Sequence, residues 1–318
     1  MNIAEFEKFL AELDANIAKL RTAAEREGNK QAATEADRMS RQRGVAVERF
    51  FGKLTPWDNV LLARHAERPY SMDYIGGILD DFTELHGDRL FGDDGALVGG
   101  MARLGTRQVM VLGQQKGRDL KERQKRNFGY MRPEGYRKAL RLLQLAGKFQ
   151  RPVLSFIDTP GADPNVGSEE RGISEAIARN LREMSVLPTP SVGIVIGEGG
   201  SGGALGIAVC DRVLMLSHSF YSVIAPEGCA AIISRDATRS ADAARWMRVT
   251  ARDAKELGLI DEVIDEPLGG AHTDPQAAAE AVREALVRHL DELCALPTKE
   301  LLAQRAKKLR ALGKFSVG

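Results

Sequence analysis

Residues 197–203 read GEGGSGG, five glycines in seven positions, and they follow directly on the apolar run SVGIVI. An apolar run closed by glycines reads as a buried strand whose carboxyl end breaks into a tight turn. The segment after it, ALGIAVC, reads as a short helix. The same order recurs upstream. PVLSFID is a buried strand, Thr159 to Gly172 is a loop rich in Gly, Pro and Asp, and the helix that follows carries Ile173, Ile177, Leu181 and Met184 on one face until Pro188 and Pro190 end it. LVGGMARLGTRQVMVLG folds as a hairpin about Gly105-Thr106, and Pro133-Glu134-Gly135 opens a helix with Leu140, Leu143 and Leu145 among its apolar positions. RVLML and FYSVIA read as strands and PEGCAAII as a helix. From about Asp88 onward, then, strands and helices alternate, which predicts an α/β core with a largely parallel sheet. Sites in such cores sit at the carboxyl ends of strands. Two turns qualify, DTPGADPNVGSEERG and GEGGSGG.

The ends of the chain differ from this core. Ile3, Phe6, Leu10, Leu13, Ile17 and Leu20 are spaced 3, 4, 3, 4, 3, an apolar seam along one helix. Gly28-Asn29 stops it, and a second charged helix from about Gln31 to Phe51 folds back. Residues 1–54 are therefore expected to form a helical hairpin whose seam packs on its own return helix or grips another subunit. Residues 55–318 form the main domain, which closes with charged helices at Gln276–Leu293 and Lys299–Leu312.

Composition narrows the function. Lys and Arg total 45 and Asp and Glu 44, so no global charge draws the chain to nucleic acid or an anionic membrane. No apolar run approaches the ~18–20 residues of a membrane span, and the opening segment is broken by acids, as expected of a soluble, cytoplasmic protein. Cys210, Cys229 and Cys294 are odd in number and form no CxxC pair, which fits a reducing compartment and excludes a zinc ribbon in this chain. The five histidines show no HExxH-type spacing, so no metal centre is expected.

Gly197, Gly199 and Gly202 satisfy G-x-G-x-x-G, but the acidic residue that should hold a ribose about 20 positions on is missing, since RVLML ends in Ser217-His218. No GKS or GKT follows any glycine run. Ser201 lies in GGSGG rather than in a nucleophile elbow. What remains is the backbone. Without a Cβ at Gly202 or Gly203, a substrate oxygen can reach main-chain N–H groups at a helix start, where the dipole favours negative charge. That is an oxyanion hole; the alternative is that the glycines merely allow tight packing. Between Lys116 and Lys138, nine basic residues face three acids, which would suit cofactor phosphates, a solvated helix face or a salt-bridged partner contact.

The stretches RPYSMDYI, GRDLKERQKRNFG with PEGYRKALRL, SFIDTPGADPNVGSEERGISEAIARNLREM, GEGGSGGALGI, YSVIAPEGCAAI and EPLGGAH, spanning about Arg68 to His272, closely resemble the alpha subunits of bacterial-type acetyl-CoA carboxylase carboxyltransferase. The resemblance implies a crotonase-like superhelix of repeated ββα units. It implies transfer of a carboxyl group from carboxybiotin, attached to a biotin carboxyl carrier protein, onto acetyl-CoA to give malonyl-CoA. A separate beta subunit, expected as α2β2, would carry the zinc, and a biotin carboxylase in the full complex would use the ATP. This chain has no biotin-accepting MKM sequence, and no nucleic acid or membrane partner is implied. By matching motif, Gly202 and Gly203 would stabilise the ureido oxygen of biotin, with Gly161, Ala162, Gly199, Gly200 and Ser201 around the substrate. Asp163 and Asn165 depart from the family's usual DTPGAYPG, and Ser234-Arg235 from a commoner Leu-Trp, which bears on the shape of the loop beside Gly161. A stand-alone crotonase-like hydratase or isomerase would need two glutamates; aligned on such enzymes, Leu205 occupies the first position and Glu227 resembles the second. A non-catalytic scaffold subunit is the remaining alternative.

Overall fold

The computed structural model describes residues 3–313. The seam of the first helix, Ile3–Glu27, turns onto the second, Lys30–Phe51, burying Ile3, Phe6 and Ile17 against Ala32, Ala36 and Val47. Gly28, at φ +59°, ends the first helix, and the Asn29 side chain starts the second by accepting the N–H groups of Gln31 and Ala32. Phe6 stacks on Phe50 with ring centroids 4.0 Å apart. The seam is thus covered by its own return helix, and at its base Phe51 meets the edge of His218.

Among the described residues the core is one sheet of eight strands, β1 (Asp80–Glu84), β2 (Leu97–Leu104), β3 (Arg107–Gln114), β4 (Val153–Thr159), β5 (Ser191–Gly200), β6 (Arg212–Leu216), β7 (Phe220–Ser222) and β8 (Glu262–Ile264). Their order is β1-β2-β3-β4-β5-β6-β8, with β7 paired to the end of β5. The first two pairings are antiparallel and the rest parallel. β4 and β5 are buried along their whole length, as central parallel strands covered on both faces must be. Pro133–Lys148 and Ile173–Ser185 contribute to the apolar layer on one side, through Tyr136, Leu142, Leu143, Ile173 and Met184. Ser71–Ile78 and Pro275–Cys294 contribute to the other, through Tyr74, Ile75, Val282 and Leu286. The closing helix Thr298–Ala311 is anchored by Arg305, which is buried and spans both oxygens of Asp211 and the carbonyls of Met184, Leu187 and Thr189.

Several expected boundaries shift. β5 runs through the first glycines to Gly200, and the helix after it is Ser201–Leu205 rather than ALGIAVC, because the helical turn begins on the glycines themselves. Only Phe220–Ser222 of FYSVIA is strand. The loop from Thr159 to Gly172 contains a short helix, Val166–Glu170. Regular structure also begins before Asp88. The helices Pro56–Ala63 and Ser71–Ile78 precede it, as does β1, whose DDFTE sequence is a polar edge strand with no apolar alternation to betray it.

Candidate functional site

The two qualifying turns meet at the carboxyl ends of β4 and β5. Ile157 faces Val195 but Thr159 faces Gly199, so β5 bulges over this span. Asp158 holds the bulge by accepting the N–H of Glu198 at 2.9 Å, and a Cβ at Gly197 would lie 2.7 Å from the same carboxylate oxygen. Beyond it the chain passes through Ser201, exposed and at φ +52°, into the first turn of Ser201–Leu205. A non-glycine residue held in the left-handed region is a strained junction of the kind found at functional sites.

All seven residues expected at the site come together here. A Cβ on Gly200 would lie 2.2 Å from the Pro160 carbonyl oxygen, and one on Gly203 would lie 2.4 Å from Gly161 C and 2.5 Å from Ala162 N. One on Gly199 would strike the Tyr221 ring at 2.6 Å. Close packing therefore accounts for glycine at 199, 200 and 203. Gly202 is different: its nearest neighbour would be Ile177 at 3.9 Å, and it borders a cavity of about 530 Å³. Leu205, Tyr221, Val223, Met247 and Leu309 make that cavity largely apolar. Among the described residues, no acceptor is found for the N–H of Gly202 or Gly203, as expected of the first amides of a helix.

The carbonyl of Gly203 is fixed instead. Gln114, fully buried at the end of β3, donates Nε2 to it at 2.8 Å and accepts the Asp158 N–H at 3.2 Å; Tyr136 Oη adds a bond of 3.3 Å to the same oxygen. Composition and motif gave no sign of Gln114. Its only sequence signal is an amide side chain in a position where an apolar strand should continue.

Beside the cradle lies an ionic lattice. Lys116 Nζ sits 2.8 Å from Asp158 and 3.2 Å from Glu198; Arg64 donates to Glu198 at 2.7 Å and to Glu227 at 2.6 Å. Burial works to raise the Glu198 carboxyl, but Lys116 and Arg64 outweigh it and hold the group below the ordinary carboxylate range. The same lattice holds Lys116 protonated against its own burial. Much of the basic cluster is likewise engaged within the chain: Arg118 with Asp73, Arg137 with Asp88 and Glu134, and Lys138 with Asp93. Leu205 brings no carboxylate to the cavity and Glu227 is tied to Arg64, so the two-glutamate arrangement of a hydratase is not formed.

The two loop residues that depart from DTPGAYPG bond to each other. Asp163 is buried and accepts Asn165 Nδ2 and Ser168 Oγ, each at 2.6 Å. This closes the loop on itself, while Asp163 N–H reaches the Met131 carbonyl at 2.9 Å.

Spacing gave no metal motif, yet the fold places Glu7, His65 and His272 within 4.8 Å of one another, with the two imidazoles stacked at 3.9 Å. His65 Nδ1 accepts the Glu67 N–H, which leaves its proton on Nε2, toward Glu7. Glu7 Oε1 lies 3.4 Å from His65 Nε2 and 3.6 Å from His272 Nε2, so the trio is a polar contact between hairpin and domain, and among the described residues His272 Nδ1 is buried without a hydrogen-bond partner. Burial, with His65 alongside, pushes His272 down to about 4.

A family model described as acetyl co-enzyme A carboxylase carboxyltransferase-like matches residues 3–313. The acetyl-coenzyme A carboxylase carboxyl transferase subunit alpha of Geobacter metallireducens is 53% identical over 312 residues, covering 98% of each chain. That of Azotobacter vinelandii is 52% identical over 316 residues, covering 98% of this chain and 99% of its own. Among solved structures, transcarboxylase 12S with methylmalonyl-coenzyme A bound superposes with a TM-score of 0.56 at 22% identity, over 71% of this chain and 42% of that one. A Pseudomonas malonate decarboxylase hetero-tetramer in complex with coenzyme A gives 0.56 at 20% identity, over 70% and 89%. These two likenesses carry the fold, the crotonase-like arrangement that the family resemblance implies. With the model matched over residues 3–313 and relatives more than half identical along nearly their full length, the chain belongs to the acetyl co-enzyme A carboxylase carboxyltransferase family.

Proposed function

We propose that this chain is the alpha-type half of a cytoplasmic carboxyltransferase that moves a carboxyl group from carboxybiotin, borne on a separate carrier protein, to acetyl-CoA. The product is malonyl-CoA. The observation that carries this reading is the pair of acceptor-free amides of Gly202, which borders an apolar cavity, and its buried neighbour Gly203. The cavity suits a fused, uncharged ring, and the amides would donate to its ureido oxygen as negative charge gathers there. Each such donor is worth about 2.7–4 kcal/mol in a transition state. Bound carboxybiotin would supply the carboxyl group and, once relieved of it, a ring nitrogen able to take the α-proton of acetyl-CoA. A side-chain base is then not required of this chain, which agrees with the engagement of Glu198 and Glu227 in ion pairs.

The complementary beta-type subunit, in an α2β2 assembly, would hold the zinc and face the enolate of acetyl-CoA, with the carrier protein and an ATP-using biotin carboxylase completing the complex. The hairpin of residues 3–51 would serve as the contact arm. The test is reconstitution: this chain alone should form no malonyl-CoA from acetyl-CoA and carboxybiotin, and addition of the beta-type subunit should restore it. Equal activity from the beta-type subunit by itself would make this chain a scaffold.

A further inference from the structure

The seam of the N-terminal hairpin is satisfied internally, yet the hairpin leaves a second apolar surface uncovered. Phe6, Phe9, Val45, Ala46, Phe50 and Leu54 floor a groove of about 820 Å³ that runs between the two hairpin helices to the start of Pro56–Ala63. Phe9 is 43% and Val45 63% exposed, which is unusual for large apolar side chains set close together on one surface. Arg41, Arg49 and Lys53 stand along the rim, and among the described residues none of the three has an acidic partner. Among the described residues, the one acid lining the groove, Asp58, is already committed: it accepts the backbone N–H of Thr55 at 2.8 Å and its hydroxyl at 2.6 Å, capping Pro56–Ala63. The groove is therefore apolar at its floor and positive at its edge.

That combination selects the occupant. A second copy of this chain docked symmetrically would set the same three cations against one another. An amphipathic helix with apolar residues at i, i+3/i+4 and i+7 and acids on its flanks would fill the floor and neutralise the rim. Location adds a reason for such a contact. Pro56–Ala63 opens on the groove at Thr55 and Asp58 and ends at Arg64, the side chain that holds Glu198 and Glu227 beside the glycine cradle. Two turns of helix join the groove to the ionic lattice.

We propose that this groove receives an acidic, amphipathic segment of the complementary carboxyltransferase subunit, so that one seating event both joins the subunits and fixes Arg64 at the candidate site. The proposal rests on the two-subunit reading above. It is tested with the full chain and the purified beta-type subunit, using two variants outside the site: Phe9→Asp with Val45→Asp, and Arg41→Glu with Arg49→Glu and Lys53→Glu. The altered side chains are exposed, so both variants should melt as the parent does. The apolar pair should weaken subunit binding by about 30-fold or more, the scale of a central interface residue. The charge reversal should weaken it most at low salt and abolish the salt dependence that the parent shows. At saturating beta-type subunit, both variants should recover malonyl-CoA formation. Binding within twofold of the parent for both variants, with salt dependence retained, overturns the proposal. So does a defect confined to the carrier protein, or loss of self-association by this chain in place of loss of heteromeric binding. Failure of the parent pair to form any malonyl-CoA would instead sink the catalytic reading, while the binding measurements would still decide the groove.

Discussion

Gly203→Ala is the sharpest test of the cradle. The new methyl carbon would lie 2.4 Å from Gly161 C and 2.5 Å from Ala162 N, both backbone atoms that cannot rotate away. Carbon atoms in ordinary contact sit about 3.5–4.0 Å apart, so the helix Ser201–Leu205 and the loop at Gly161 must separate by roughly 1 Å. Displacement on that scale costs about 100-fold where reacting groups must be aligned, and loss of one oxyanion donor costs about 10²- to 10³-fold. Malonyl-CoA formation by the variant, reconstituted with the beta-type subunit, should fall within that range. Overpacking is expected to cost about 1–3 kcal/mol of stability, so thermal unfolding and subunit binding are measured in parallel. Gly202→Ala is the companion: its methyl finds Ile177 at 3.9 Å, ordinary contact, and alanine favours the helical turn. It should fold at least as stably as the parent. Unchanged turnover per folded Gly203→Ala molecule would refute the assignment of catalysis to these amides and leave the glycines a packing role alone.

Gln114→Ala removes the 2.8 Å bond to the Gly203 carbonyl and strands the Asp158 N–H; it should cost about 1–3 kcal/mol in denaturant unfolding and lower turnover more than Tyr136→Phe, which loses a 3.3 Å bond. Arg305→Ala leaves Asp211 buried without its charge partner and should destabilise the chain by about 3–5 kcal/mol, with the closing helix the first element to gain hydrogen exchange. Asp88 supplies a pH prediction. Against its burial, the N–H groups of Leu90, Phe91 and Gly92 and the Arg137 guanidinium lower its carboxyl to about 2. A depressed folded value means the contribution is complete above the unfolded carboxylate range and is lost as pH falls toward 2. That contribution is about 2 kcal/mol, and Asp88→Asn should flatten unfolding free energy between pH 5 and 2 by that amount.

How much of this was legible beforehand depends on the kind of signal. The hairpin, β2–β3 and the two buried strands β4 and β5 declare themselves through apolar period and glycine or proline punctuation, which are local properties. The glycine turn was readable too, but not the division of labour within it. Gly199, Gly200 and Gly203 are glycine because the Tyr221 ring, Pro160 and Gly161 approach them, and those neighbours lie dozens of residues away or across a parallel pairing. The ionic lattice was hidden for the same reason: Arg64, Lys116, Asp158, Glu198 and Glu227 belong to five separate segments, and no spacing rule links them. Within the sequence, Lys116 was merely one member of a basic run.

The departures at 163 and 165 show why motif identity and site geometry can part company. Had only Asp163 replaced the family's aromatic residue, a carboxylate would be buried against the Met131 strand bridge with Arg132 no nearer than 3.9 Å, an expensive arrangement. Asn165 supplies a second donor at 2.6 Å, alongside Ser168, so the charge is bound within its own loop. The backbone consequence is what reaches the site. Asp163 N–H pairs with Met131, Thr159 Oγ1 lies within hydrogen-bond distance of the Gly129 and Gly161 carbonyls, and Gly161 and Ala162 are pressed on Gly203. The two residues that break the motif are thus satisfied within their own loop, whose Gly161 and Ala162 pack on Gly203. The cradle is defined by main-chain positions, and side chains may exchange around it so long as each buried polar atom they introduce finds a partner.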